Sequence, residues 1–207
     1  MKSTTVFRMA ENILRGTLVL AIILAIVGHS WIVALISLLT LILTYLPLWV
    51  RGKYKINIPL DFEFAIILFV YSGLFLGEIK EFYELFWWWD IMLHAGSAIA
   101  FGCIGFIIMF ILNKTNKVRI KPIWMAVFTF CFALSIGTIW EICEFGMDQI
   151  FNINMQKSGL TDTMWDLIIN SIGALIASLV GYAFMKGKQI SYLGKLIRLF
   201  IEDNPHL

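Results

Sequence analysis

Apolar residues in this chain come in long unbroken runs, not in the alternating or one-sided patterns of a soluble fold. Six runs stand out, at 11–28, 31–50, 60–79, 90–112, 122–145 and 164–185. Each approaches the roughly 20 residues that carry a helix across a bilayer. Backbone amides in hydrocarbon have no water to bond, so such runs predict helices that satisfy their own hydrogen bonds. The expected fold is all-α: a polytopic transmembrane helical bundle of about six spans.

Only His29 and Ser30 separate the first two runs, which predicts a tight helical hairpin. Pro59 and Pro122 stand just before or at the start of runs, as helix-initiating prolines do. Pro47 falls near the end of the second run, where a kink is tolerable. After the last run the pattern changes. In 186–207, Ile190, Leu193, Leu196, Ile197 and Phe200 share one helical face, and Lys195 and Arg198 lie off it. This predicts an amphipathic C-terminal helix on the cytoplasmic surface. The start of the chain has basic residues before an apolar run, as a signal peptide does, but no small-x-small cleavage site follows. An uncleaved first span is expected. No repeat or linker divides the chain, and 1–207 reads as a single integral membrane domain.

Composition agrees. The chain is 60% hydrophobic and 14% charged, against about 25% charged in soluble domains. One core of this size could not hide so much apolar surface, and the implied partner is membrane lipid. A net charge of +2 gives no argument for nucleic acid. The placement of the charges says more. With the N-terminus inside, the cytoplasmic segments hold 14 of the 16 basic residues: Lys2, Arg8, Arg15, Arg51, Lys53, Lys55, Lys114, Lys117, Arg119, Lys121, Lys186, Lys188, Lys195 and Arg198. The outer segments hold only Lys80 and Lys157. This asymmetry predicts both termini in the cytoplasm. Trp87, Trp88 and Trp89 then read as an aromatic belt at the outer interface. Cys103, Cys131 and Cys143 lie in apolar runs without metal-binding spacing and read as buried free thiols.

Ionisable groups inside spans are costly, and a functional role is their default reading. The fourth run opens with Asp90 and His94, at i and i+4. The fifth closes with Glu141, Glu144 and Asp148, at i, i+3 and i+7. The sixth is entered through Asp162, Asp166 and Asn170, at i, i+4 and i+8. Each set occupies one helical face. The expected topology brings all three to the outer ends of their spans, within about two helical turns of the boundary. Following the same faces inward gives Ala98, Gly102 and Gly105 on the fourth span and Gly173, Ala177 and Gly181 on the sixth, with Gly137 preceding Glu141 on the fifth. Small residues at this spacing let membrane helices pack closely, so the acids should point into a shared pocket.

Like charges gathered in a low dielectric repel strongly and coexist when they share protons or a cation. A divalent metal with oxygen ligands from Asp90, Glu141, Glu144, Asp148, Asp162 and Asp166 is the simplest resolution; one histidine alongside suits Mn²⁺, Zn²⁺ or Fe²⁺ as well as Mg²⁺. A metal-free protonatable site remains open. So does a structural polar cluster, its acids bonded to Trp140, Trp165, Thr138 and Ser97. The Glu-x-x-His pair of a ferritin-type di-iron site is absent, as are Walker, GxSxG and HExxH patterns. Asp61 and Glu63 read as first-turn acids favoured by the helix dipole, and His29 and His206 as bystanders.

The order Asp90-x3-His94, Glu141-x2-Glu144-x3-Asp148, Asp162-Thr163-x2-Asp166-x3-Asn170-x2-Gly173 resembles the YjdF-like family of bacterial inner-membrane proteins of unknown function, over roughly 60–185. The resemblance implies a polytopic bacterial membrane protein and carries no activity across. A looser likeness to VanZ-like membrane proteins lies in an acidic residue followed by an Asn-x-x-Gly helix start. Three functional readings stay open. The favoured one is a metal-dependent membrane hydrolase or transferase acting on a lipid or lipid-linked headgroup, with His94 and Asp166 in the chemistry and Asn170 in the pocket. The alternatives are a cation or small-solute transporter and a non-catalytic interaction protein.

Overall fold

The computed structural model describes residues 2–152, 154–188 and 192–205, and among these every regular element is helical. Six stretches are long and apolar enough to cross a membrane: Thr5–Val27, Trp31–Tyr54, Leu60–Ile79, Trp89–Lys114, Pro122–Phe151 and Leu160–Met185. The surface is inverted relative to a soluble protein. Val27, Ile32, Ile142 and Ile150 are largely exposed, whereas Glu11, Thr40, Thr44, Glu63 and Thr129 are fully buried. Lipid favours that inversion, because apolar side chains cost nothing in hydrocarbon and polar ones do.

The described residues form two compact units, one from the start of the chain to Trp89 with those from Arg198 on, the other from Asp90 to Ile197. In the first unit, α1 (Lys2–Val27) and α2 (Trp31–Leu43) form the expected hairpin, turning through His29 at φ 56. The second span then breaks before α3 (Leu46–Tyr54), with Pro47 in its first turn. A proline cannot donate to the carbonyl four residues back, so the helix restarts there and does not merely kink. Arg15 binds at the break, donating to the Thr44 carbonyl at 2.9 Å and to its Oγ1 at 3.3 Å. The third span is α4 (Leu60–Val70) continued by a π-helical segment, Tyr71–Ile79. A Cβ on Gly77 of that segment would collide with the Tyr83 ring, so the wide turn and the glycine together admit the ring. A short α5 (Phe82–Leu85) follows.

Glu63 departs from its expected role. It is fully buried and accepts from Arg8 at 2.9 Å and from Arg51 at 3.1 Å. Glu11, also fully buried, pairs with Arg8 at 3.2 Å. Three helices are therefore joined by ion pairs: α1 through Arg8 and Glu11, α3 through Arg51, and α4 through Glu63. Trp89 also departs. Trp87 is 82% exposed, as a belt residue should be, but Trp89 is 7% exposed and donates to the Ser72 carbonyl. Of the cysteines, Cys103 is buried, while Cys131 and Cys143 are exposed on their helix.

The second unit comprises α6 (Trp89–Lys114), α7 (Pro122–Phe151) and α8 (Leu160–Met185). The last two are longer than their apolar runs. α7 continues to a left-handed cap at Asn152, and α8 starts directly after Gly159, which has φ +64. Backbone bonds, not side-chain polarity, set these ends. The small residues pack as anticipated. A Cβ on Gly102 would overlap that of Ala177, one on Gly173 would come within 2.8 Å of the Ala98 Cβ, and one on Gly181 within 2.5 Å of Phe106. The pairs 98/173, 102/177 and 106/181 advance in step, so α6 and α8 run side by side in the same direction. On α7, Gly137 faces Asn170 and Ala133 lies near Gly102, which sets α7 antiparallel to both.

The tail forms α9 (Tyr192–Asp203), with Leu196 and Ile197 buried and Lys195 and Arg198 exposed. Ile190 and His206 lie outside the described residues. Asn204 anchors the end of the tail: its Oδ1 accepts from the Asn57 amide and its Nδ2 donates to the Asn57 carbonyl, each at 2.7 Å.

Two outcomes follow from this packing. Gly102→Ala lowers the thermal midpoint in detergent, consistent with about 1–3 kcal/mol for overpacking, and adding Ala177→Gly recovers most of the loss. Additive effects of the two changes would contradict the contact. Glu63→Ala destabilises by about 1–2 kcal/mol, because it removes the acceptor that Arg8 and Arg51 share and leaves them only Glu11 and the Ile58 carbonyl. A loss below about 0.5 kcal/mol in denaturant titration would show the pairs to be solvated and unimportant.

Candidate functional site

His94 lies on the first turns of α6 and is 7% exposed. Asp90 is one turn before it on the same helix, so the 3.6-residue repeat places both on one face. Asp166 and Asn170 repeat that spacing on α8, and Glu141 enters from α7. The close packing of the three helices brings these faces together around the imidazole. Nε2 of His94 is 3.5 Å from Asp90 Oδ1 and 3.8 Å from Asp166 Oδ1. Nδ1, on the other edge of the ring, is 3.7 Å from Glu141 Oε1. One ligand atom from each of Asp90, His94 and Asp166 can be chosen so that all lie within 4.8 Å of one another.

Burial is deep here. Glu141 and Asp166 are each 3% exposed and Asn170 is 1% exposed. Both oxygens of Glu141, Oδ2 of Asp166, and the amide nitrogen and oxygen of Asn170 are buried without a hydrogen-bond partner. Buried polar atoms are nearly always paired, so five such atoms on three neighbouring helix positions are a strong local departure.

The remaining acids predicted for the site are placed differently. Asp148 is committed to the α7–α8 connection: its two oxygens accept the backbone amides of Met155 at 2.7 Å and Gln156 at 2.9 Å. Glu144, half-buried, accepts the indole N–H of Trp140 at 2.9 Å. Asp162 sits half-buried in the first turn of α8, where the helix dipole favours an acid. None of the three contributes an atom to the compact Asp90–His94–Asp166 group. Of the donors expected to satisfy the acids, Trp140 does so at Glu144, whereas the two hydroxyls bond backbone carbonyls. Ser97 Oγ donates to the His94 carbonyl and Thr138 Oγ1 to the Leu134 carbonyl.

Three spans meeting at a buried acid–histidine layer define a multi-pass membrane protein with a polar centre inside its helical packing. The chain belongs to the family described as predicted membrane protein (DUF2238), whose model matches residues 10–187. This is the family to which the motif order pointed; the VanZ likeness is not shown. The chain is 31% identical over 114 residues to an uncharacterized protein of Thermotoga maritima, a match covering 55% of this chain. It spans 57% of that relative's length. No solved structure matches.

Proposed function

We propose that this protein binds a divalent cation between α6 and α8, with Asp90, His94 and Asp166 as the nearest donors. The observation that carries this reading is their convergence beside buried oxygens that make no hydrogen bond. Carboxylates in a low-dielectric interior demand a counter-charge; Lys157 is near Asp90 and Asp162, but among the described groups Glu141 and Asp166 have the His94 ring as their charged partner. A cation of charge two supplies the balance and turns unpartnered oxygens into ligands.

The use we propose for the cation is chemistry on a lipid or lipid-linked headgroup at the outer leaflet of a bacterial inner membrane. There it would polarise a phosphoryl or ester oxygen and activate a water. Two features support this. The donors lie within about two turns of the ends of their spans, and the basic residues concentrate on the opposite side of the expected topology. A carrier would more usually place its site near the midplane on broken helices, whereas α6, α7 and α8 are continuous.

The orientation is checked with single cysteines in a background stripped of the native three. An impermeant thiol reagent on intact cells should label position 157 and spare position 117; the reverse pattern would put the site on the inner face. For the site itself, elemental analysis of purified protein should return about one divalent metal per chain. Asp166→Asn and Asp90→Asn should lose it, while Asp148→Asn, whose carboxylate holds the loop, should keep it. A metal-free wild type after dialysis against Mg²⁺, Mn²⁺ and Zn²⁺ would end the cation reading. If metal is bound but a broad panel of labelled lipids is left unchanged in proteoliposomes, the headgroup chemistry is wrong.

A further inference from the structure

The two edges of the His94 ring face different surroundings, and that difference divides the acids into ligands and a support. A metal held at about 2.1 Å from its donors sets them about 3.4 Å apart in a tetrahedron and about 3.0 Å apart in an octahedron. Nε2 stands 3.5 and 3.8 Å from the nearest oxygens of Asp90 and Asp166, and one ligand atom from each of the three residues lies within 4.8 Å of the others, so rotation of the carboxylates toward Nε2 forms a three-donor set. Glu141 is on the far edge, 3.7 Å from Nδ1. A metal bound at Nε2 lies in the ring plane and points away from Nδ1. The Glu141 oxygen that faces Nδ1 is therefore turned away from that position.

The tautomer follows from the same geometry. With its proton on Nδ1, His94 offers a donor to Glu141, both of whose oxygens lack one, and leaves the Nε2 lone pair for the metal. With the proton on Nε2, the lone pair would face the Glu141 carboxylate and the metal position would be blocked. Histidine ligands generally donate their second N–H to a carboxylate or carbonyl, which fixes the ring and strengthens the metal bond.

We infer that Glu141 is a positioning residue and not a ligand: once the 3.7 Å gap closes to hydrogen-bonding distance it accepts a hydrogen bond from the Nδ1–H of His94 and so directs a transition-metal cation to Nε2, where Asp90 and Asp166 complete the set. This rests on the cation reading above and adds to it a role for Glu141 and a metal class. One nitrogen with two carboxylate oxygens suits Mn²⁺, Fe²⁺ or Zn²⁺ better than Mg²⁺ or Ca²⁺, which take all-oxygen shells.

The test is titration of the full-length protein in detergent with Mn²⁺, Zn²⁺ and Mg²⁺ separately, together with pulsed electron paramagnetic resonance of the Mn²⁺-loaded form. Wild type should bind one Mn²⁺ or Zn²⁺ more tightly than Mg²⁺ and show ¹⁴N coupling from a bound imidazole, which His94→Ala should abolish. Glu141→Leu should keep one metal and the ¹⁴N signal but bind about 10–100-fold more weakly. Glu141→Gln, which keeps an acceptor oxygen, should recover part of that loss. If Glu141→Gln loses the metal as completely as Asp166→Asn does, Glu141 is a ligand and the inference fails. If Glu141→Leu binds like wild type, Glu141 has no part in positioning and the inference also fails. Should Glu141→Leu not purify as a folded species, the Gln variant alone decides: stoichiometric, weakened binding supports the inference, and lost or unchanged binding refutes it. A wild type that binds none of the three ions overturns the underlying cation reading, a result distinct from either failure at Glu141.

Discussion

The close approach of α6 and α8 is the contact on which the polar centre of the second unit depends. Lipid gives helices no hydrophobic reason to associate, so association must come from dense packing and polar contacts. Gly102 against Ala177, and Gly173 against Ala98, provide that density by removing the side chains that would hold the backbones apart. His94 is one turn from Ala98 on α6, and Asn170 is one turn from Gly173 on α8. The face that packs is therefore also the face that carries the polar centre. Moving the helices apart by the width of one methyl group would separate donors that now stand 3.5 to 3.8 Å from one imidazole nitrogen.

The two units bury carboxylates under opposite conditions. Glu63 in the first unit is enclosed by two guanidinium groups and makes short bonds to both. Removing water from such a group is offset by the pairing, and the result is a joint between helices. Glu141 and Asp166 in the second unit are almost as deeply buried, but the nearest cationic group is the His94 ring at 3.7 and 3.8 Å, beyond hydrogen-bonding range. The same residue type thus closes a structural network in one place and is left with unused oxygens in the other. That contrast within one chain separates the candidate site from ordinary helix cement.

Much of this was legible in the residue order. Span number and approximate limits follow from run length, and the shared face of Asp90 and His94, or of Asp166 and Asn170, follows from helical periodicity alone. So does the small-residue stripe. Which acids converge was not legible, because periodicity fixes a face and leaves the direction of a flexible carboxylate to its neighbours. Asp148 shares a face with Glu141 yet turns to the backbone amides of the following loop. Glu144 turns to an indole one turn back. The Arg8–Glu63 pair escaped because it joins positions 55 apart, although Arg8, Glu11 and Arg15 at i, i+3 and i+7 were already a hint of a charged helix face. Trp89 escaped because three adjacent tryptophans on a turning chain cannot all face the same way.

A purely structural polar cluster would have to meet its own hydrogen-bonding needs, since that is its only advantage over apolar packing. Of the donors best placed to do so, two are engaged within their own helices and one meets an acid of the predicted set. Ser97 and Thr138 bond carbonyls of their own helices, and Trp140 bonds Glu144. Asn170 is fully enclosed beside Gly137, yet neither end of its amide has a partner. An apolar side chain there would pack without that cost, and the glycine opposite leaves room for one only as large as the asparagine. A buried amide and two buried acids beside a histidine thus leave five polar atoms without a hydrogen-bond partner. On the reading proposed above, a small hard or borderline cation would meet the oxygen and nitrogen donors together, since one ligand atom from each of Asp90, His94 and Asp166 already lies within 4.8 Å of the others.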